Sequence, residues 1–331
     1  MNAWNRTTVE PKHLPSVSIV VPAFNEASVL PIFHQALVQV IENQPHFRWE
    51  IVYVDDGSKD HTLALMMGWS HLDARVRYVS LSRNFGHQAA LCAGMDAATG
   101  DAVISMDCDM QHPPTVIPQL CQAWREGFDV VVTIRSNHHS LGWFKRGTSF
   151  LFMKMLRSIS GLDIRPGVSD FRLLSRRALT ALQALPEKQR FLRGMVQWLG
   201  FEKKEIPFNA PPRAAGKSKY RLLSMLLLAR DGLLSFSRLP IHLALIFALI
   251  CLGVSFVGSM IAALASSSIP SWIYAAIIGG HATAFGFWVC LFAFSEYLAR
   301  IHEETLARPV YMVRHQSAAT IYQVSTTSDA R

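Results

Sequence analysis

Residues 241–265, IHLALIFALICLGVSFVGSMIAALA, contain no Asp, Glu, Lys or Arg. Residues 272–298 contain one, Glu296, close to their end. At 1.5 Å of rise per helical residue, each stretch is long enough to cross about 30 Å of hydrocarbon. A helix apolar on every side needs protein or lipid around its whole circumference. Two in succession exceed what the core of a chain this size requires. They predict a pair of transmembrane helices, at about 241–265 and 272–298, joined by the short uncharged link SSSIPS. Arg230 and Arg238 precede the first span, and Arg300, Arg308 and Arg314 follow the second. The positive-inside rule therefore puts both outer ends in the cytoplasm. Gly279, Gly280 and Gly286 allow close helix approach, which serves either a homo-oligomer or packing within the hairpin. Upstream, YRLLSMLLLARDGLLSFSRLP mixes Leu and Met with Arg and reads as an amphipathic interfacial segment over 216–240, broken from the first span by Pro240.

The rest of the 331-residue chain is organised by charge. Residues 1–134 hold 8 Lys+Arg against 14 Asp+Glu, residues 135–238 hold 20 against 6, and residues 239–331 hold 4 of each. A basic stretch running straight into apolar segments fits an anionic membrane surface or phosphorylated ligands. No homeodomain, zinc-finger or RNA-recognition signature accompanies it, so nucleic acid is not an expected partner. The five cysteines form no CxxC pair and read as reduced, as in a cytosolic domain. The polar N-terminus has no signal-peptide core.

Within residues 17–135, β-branched runs alternate with segments of helical period: SVSIVVP, EIVYVD, VRYVSLS, DAVISMD and DVVVTIRS against SVLPIFHQALVQVIEN, HTLALMMGWSHL, HQAALCAGMDAAT and PPTVIPQLCQAWREG. This alternation predicts an α/β domain whose mostly parallel sheet has helices on both faces. Ligands of such sheets bind beyond the carboxyl ends of the strands. Four polar clusters fall there: PAFNEA, DDGSKD, SRNFGH and DCDMQH. No GxGxxG or GxxxxGK[ST] occurs, which disfavours a dinucleotide fold and a P-loop.

Asp107 and Asp109 bring two carboxylates close together, an arrangement that is unfavourable without a cation. Hard cations such as Mg²⁺ or Mn²⁺ prefer oxygen ligands, and Mg²⁺ keeps waters and substrate phosphates in its shell. The amide oxygen of Gln111 is a third candidate ligand. An isolated DxD is more often a solvated turn; three further clusters on the same edge shift the reading towards a metal site.

The ordered set SIVVPAFNE, VDDGSKD, LSRNFGHQAAL, MDCDMQHPP, WFKRGTS, SDFRLLSRRAL, RFLRGMVQWLGF and GKSKYRLLSMLLLARDG resembles the polyprenyl-phosphate glycosyltransferases. These are the branch of glycosyltransferase family 2 that includes bactoprenol glucosyltransferases and dolichol-phosphate mannose synthases. The resemblance spans about residues 17–313. Phe24 stands where the family often has tyrosine, and Cys108 where it has a small alanine. The resemblance implies a GT-A domain over 17–215 between an N-terminal tail (1–16) and the membrane part (241–300), with a C-terminal cytoplasmic tail at 301–331. It implies a nucleotide-sugar, most simply a UDP-sugar, contacted by Pro22, Phe24, Glu26, Val54, Asp55, Asp56, Asp107, Cys108 and Arg135, with Arg213 and Lys219 clamping the diphosphate. Asp107, Asp109 and Gln111 would hold Mg²⁺ or Mn²⁺. Asp107, Asp109, Asp170 and Arg172 are the expected catalytic set, Asp170 either as a base or as a group orienting Arg172. Lys145, Arg146 and Ser149 would meet the phosphate of undecaprenyl phosphate. His87 and His112 could touch a ligand, but read first as structural histidines. The expected reaction moves a sugar, glucose first among candidates, to the lipid phosphate with inversion, for cell-envelope glycan modification. It would take place on the cytoplasmic face of the inner (plasma) membrane. A processive polysaccharide synthase or other lipid glycosyltransferase is disfavoured by the absence of QxxRW. A non-catalytic sugar-nucleotide-binding scaffold is disfavoured by intact Asp107, Asp109 and Arg135.

Overall fold

The computed structural model describes residues 14–136, 167–188, 190–211, 239–265 and 269–317. The first half follows the expected alternation: β1 (Ser16–Ala23), α1 (Leu30–Glu42), β2 (Arg48–Asp55), α2 (Thr62–Leu72), β3 (Val76–Leu81), α3 (His87–Ala97), β4 (Ala102–Ser105), α4 (Ile117–Arg125) and β5 (Val130–Arg135). A 3₁₀ turn at Pro114–Val116 opens α4, where two prolines already lack the N–H that a helix start leaves unpaired. Then follow β6 (Val168–Ser175), α5 (Arg176–Gln183), α6 (Leu192–Trp198), β7 (Lys203–Phe208), two long helices α7 (Leu239–Ala265) and α8 (Ile269–Thr305), and β8 (Val313–Gln316).

One eight-stranded sheet orders these strands β7-β5-β6-β4-β1-β2-β3-β8. The β1–β2, β1–β4, β2–β3 and β5–β7 pairs are parallel, whereas β6 and β8 run antiparallel to their neighbours. The sequence reading did not find β6, β7 or β8. β6 inserts between β4 and β5 and pairs Arg172 with Ser105, so its first residues lie at the same edge as the ends of the parallel strands. The central strands are buried almost throughout, and alternate residues feed two cores. Val17, Ile19, Val21 and Phe33 build one, and Val20, Val52, Val54 and Leu91 the other. This double burial is why these strands read as unbroken apolar runs.

α3 lies very close to the sheet. A Cβ added at Gly94 would stand 2.2 Å from Val20 Cγ1 and 2.8 Å from Val54 Cγ2. The absence of a side chain at Gly94 sets the height of α3 above β1 and β2.

α7 and α8 are long and apolar enough to cross a membrane, and most of their described side chains face outward. Gly286 meets Ala248 closely: a Cβ there would lie 3.0 Å from Ala248 Cα, and Ser255 Oγ donates to Gly279 O at 2.8 Å. Packing within the hairpin accounts for Gly286, whereas Gly280 faces open space. The segment after α8 differs from the tail expected at 301–331. α8 continues to Thr305, and Val313–Gln316 joins the sheet beside β3. Tyr311 Oη donates to Asp96 at 2.7 Å and Lys188 N to Glu304 at 3.0 Å, so the end of α8 is tied to the sheet domain. The interfacial segment expected at 216–240 falls almost wholly outside the described residues.

Gly94→Ala tests the α3 contact. Alanine favours a helix over glycine by about 1 kcal/mol, but the two valines are β-branched and fixed in the sheet, and such overpacking costs about 1–3 kcal/mol. The variant is expected to melt at lower temperature than the parent in detergent; equal or higher melting temperature would show that α3 has slack.

Candidate active site at the carboxyl edge of the sheet

The loops after β1, β2 and β3 are stitched together by their own polar side chains. Asn25 N donates to Ser58 Oγ at 3.0 Å, Glu26 N to Thr62 Oγ1 at 2.9 Å, and Lys59 N to Asn25 Oδ1 at 2.8 Å. Gly57 has φ +71°, and a Cβ there would meet the backbone of Arg83 at 2.5 Å, so only glycine fits this turn. Asp55 accepts from Ser58 N at 3.0 Å and Ser80 Oγ at 3.1 Å. Asp56 accepts from Phe85 N at 2.7 Å and Gly86 N at 3.0 Å. Burial pushes the Asp56 carboxyl up, partly offset by those two N–H groups. Both aspartates expected to face a nucleobase are therefore also braces of the loops, each oxygen keeping a second lone pair.

β4 delivers the DxD segment. Cys108 is buried, with its thiol on Pro22 O at 3.8 Å, and Val54 and Pro22 are buried in the sheet. The side chains of Cys108, Val54 and Pro22 thus point into the core, so any nucleotide contact of these three residues would fall to their backbone atoms. Asp109 Oδ1 accepts from Gln111 N at 3.0 Å across Met110, which sits at φ +65°. Arg135 Nη1 reaches Gln111 Oε1 at 3.5 Å. Phe24 and Glu26 stand partly exposed just beyond β1.

His112 is fully buried. Asp107 N donates to its Nδ1 at 2.8 Å, and its Nε2 lies 2.6 Å from Ser169 Oγ. An Nδ1 that accepts fixes the neutral tautomer with hydrogen on Nε2, and burial lowers the imidazole pKa in agreement. His112 is structural, as expected: it joins the DxD turn to β6. Asp107 itself keeps one carboxylate oxygen, Oδ1, buried and without a hydrogen bond among the described residues. An orphaned carboxylate oxygen beside Asp109 and the Gln111 amide fits a hard divalent cation. Among the described residues no group of three or more His, Cys, Asp or Glu side chains is arranged to hold a metal ion by itself. Such a cation would thus take its remaining ligands from water or a phosphorylated substrate.

Ser105 Oγ donates to Asp170 O at 2.6 Å, which fastens β6 beside the DxD strand. Asp170 and Arg172 are both buried and paired through Oδ1 and Nη2. Arg193, from α6, adds two bonds to the same carboxylate, Nε–Oδ1 at 3.0 Å and Nη2–Oδ2 at 2.7 Å. Burial alone would raise the Asp170 pKa; Arg193 and Arg172 overcome it and hold the carboxyl well below the ordinary carboxylate range. An acid held this far down is a poor base, so of its two expected roles the geometry favours orienting the arginines. Arg193 was not among the expected residues. Its only sequence signal was its place in RFLRGMVQW. Lys145, Arg146, Ser149, Arg213 and Lys219 lie outside the described residues.

The depressed Asp170 pKa carries a sign. Its stabilisation is fully present above the unfolded value of about 3.9 and is lost as pH falls from there towards the folded value. Asp170→Asn strands the buried Arg172 charge, which costs about 3–5 kcal/mol. The variant is expected to melt well below the parent at pH 7, with the gap narrowing below pH 4. A gap that stays constant into acid would contradict the ion cluster.

Comparison with known proteins agrees with this geometry. The profile of glycosyl transferase family 2 matches residues 18–182, which run from within β1 past the end of β6 and include the DxD segment. The bactoprenol glucosyl transferase of Shigella phage SfX is 34% identical over 305 residues, covering 90% of this chain and 98% of the relative. The prophage bactoprenol glucosyl transferase homolog of Escherichia coli K12 matches at 34% over the same 90% and 98%. The Bacillus subtilis glycosyltransferase YkcC is 35% identical over 301 residues, covering 90% and 93%. These matches run through the apolar helices as well as the sheet, and the chain belongs to glycosyl transferase family 2.

Proposed function

We propose that this glycosyltransferase moves a sugar, glucose first among candidates, from UDP to undecaprenyl phosphate at the cytoplasmic face of the inner membrane. The observation that carries the reading is the shared sheet edge. A carboxylate with an unmatched oxygen, Asp107, stands next to a buried acid gripped by two arginines, in a chain that continues into an apolar helical pair. The relatives named bactoprenol glucosyl transferase support a polyprenyl phosphate as acceptor.

In this reading Asp107, Asp109 and the Gln111 amide hold Mg²⁺ or Mn²⁺, which when bound stabilises the departing nucleoside diphosphate as a Lewis acid. Phe24, Glu26, Asp55 and Asp56 line the nucleoside side, and Arg135 braces Gln111. The acceptor phosphate is already ionised at neutral pH, so no base is needed for its oxygen to attack the anomeric carbon opposite the diphosphate, with inversion. Asp170 sets the two arginines; Arg172 and Arg193 supply positive charge beside the developing phosphates. Lys145, Arg146 and Ser149 serve the acceptor phosphate, and Arg213 and Lys219 close over the donor. The two helices cross the membrane as a hairpin with both outer ends in the cytoplasm.

Purified protein with undecaprenyl phosphate and a panel of labelled nucleotide-sugars tests the reaction. Transfer from UDP-glucose to lipid that vanishes in Asp109→Ala, with folding retained, is the expected result; full activity of Asp109→Ala in chelator-treated buffer would sink the metal assignment. Lys145→Ala loses a charge-assisted hydrogen bond of about 1.5–3 kcal/mol. Catalytic efficiency towards lipid phosphate should fall about ten- to a hundred-fold, with UDP binding hardly changed. Equal loss of UDP binding would refute the separation of acceptor and donor charges.

A further inference from the structure

Two imidazoles flank Asp107, and only one can help it. His112 Nδ1 lies 3.5 Å from Oδ2, but that nitrogen already accepts the Asp107 N–H and carries no hydrogen to give. His87 Nε2 lies 3.4 Å from Oδ1, the oxygen that has no hydrogen bond. His87 opens α3, and the residues around it are tied on both sides. Phe85 N and Gly86 N bond to Asp56, and Gln88 Oε1 accepts from Leu192 N at 3.4 Å, next to Arg193. Its ring lies between the nucleotide side of the edge and the Asp170 cluster. The side chain is 39% exposed, so it supports no core.

We propose that His87 is a positioning residue that donates its Nε2–H to Asp107 Oδ1 and presets this carboxylate for the divalent cation. The role rests on the donor and metal reading above. A metal-binding carboxylate that must be turned and held on its own gives up affinity. A hydrogen-bond donor behind it restores that affinity, and losing such a partner typically weakens metal binding 10–100-fold. Oδ1 has a second lone pair and Oδ2 has no competing donor among its imidazole neighbours, so the bond to His87 leaves the carboxylate able to bind a cation. His87 is therefore moved from the structural class, where the sequence reading put it, to the site.

The test measures Mn²⁺ binding to the full-length protein in detergent with saturating UDP, by calorimetry and by electron paramagnetic resonance, without any turnover. His87→Ala is expected to bind Mn²⁺ 10–100-fold more weakly at an unchanged melting temperature. His87→Gln, whose amide N–H can stand in for Nε2–H, is expected to recover most of that loss. Wild-type affinity in His87→Ala would overturn the proposal, as would a His87→Gln variant no better than the alanine. Nitrogen coupling to Mn²⁺ that disappears in His87→Ala would also overturn it, because the imidazole would then be a ligand itself. If the unsubstituted protein shows no Mn²⁺-dependent UDP binding at all, the donor reading fails and the role of His87 falls with it.

Discussion

The carboxyl edge of the sheet depends on a buried acid that stays charged. Asp170 enters the sheet on an antiparallel strand beside the DxD strand, where a second negative group would be repelled by Asp107. Arg172 and Arg193 remove that conflict: one comes from the same strand, the other from the start of α6, and together they occupy both oxygens. The cluster pins β6, α6 and the DxD turn into one block. It also leaves positive charge next to the place where phosphate charge would develop in the proposed reaction. Among the described residues Arg172 Nε is buried with no hydrogen-bond partner, so this block is held together by charge more than by complete hydrogen bonding.

A second constraint comes from the far end of the chain. β8 lies after both apolar helices and pairs with β3, at the opposite margin of the sheet from β7. Ser82 N donates to Met312 O at 2.9 Å and Ser317 N to Tyr78 O at 3.0 Å. A strand with four exposed residues adds little apolar burial. Its effect is geometric: it ties the end of α8 to the sheet through main-chain bonds and the Tyr311–Asp96 contact. If the helices lie in a bilayer, this tie limits how far the catalytic edge can swing from the lipid surface.

The legible and the hidden parts of the fold separate for a physical reason. β1 to β5 are sandwiched between helices, so both faces are apolar and their sequences are unbroken β-branched runs. β6 reads VSDFRLLS, and an acid and an arginine two residues apart look like a solvated loop until the partner from α6 is in place. β7 contains KKE and a proline, as a margin strand can, and β8, VRHQ, has no pattern at all. The gathering of the DxD pair, Gln111 and Asp56 at one sheet edge was readable because turn residues and carboxylates cluster after apolar runs. Arg193 was not, because nothing in its neighbourhood says which acid it meets. The two histidines were indistinguishable by sequence, yet one is sealed in the core and the other stands at the carboxylate.

Local order along the chain therefore determined which strands and helices form, which turns carry carboxylates, and which segments are too apolar for water. Periodicity, turn chemistry and hydropathy are properties of neighbours in sequence. Tertiary structure alone decided that β6 lies between β4 and β5, that Asp170 is shared by two arginines, that His87 stands beside the open oxygen of Asp107 while His112 is sealed behind it, and that the last strand returns to the sheet. Each of these is a pairing of groups distant in sequence, whose energy exists only once the intervening chain has closed.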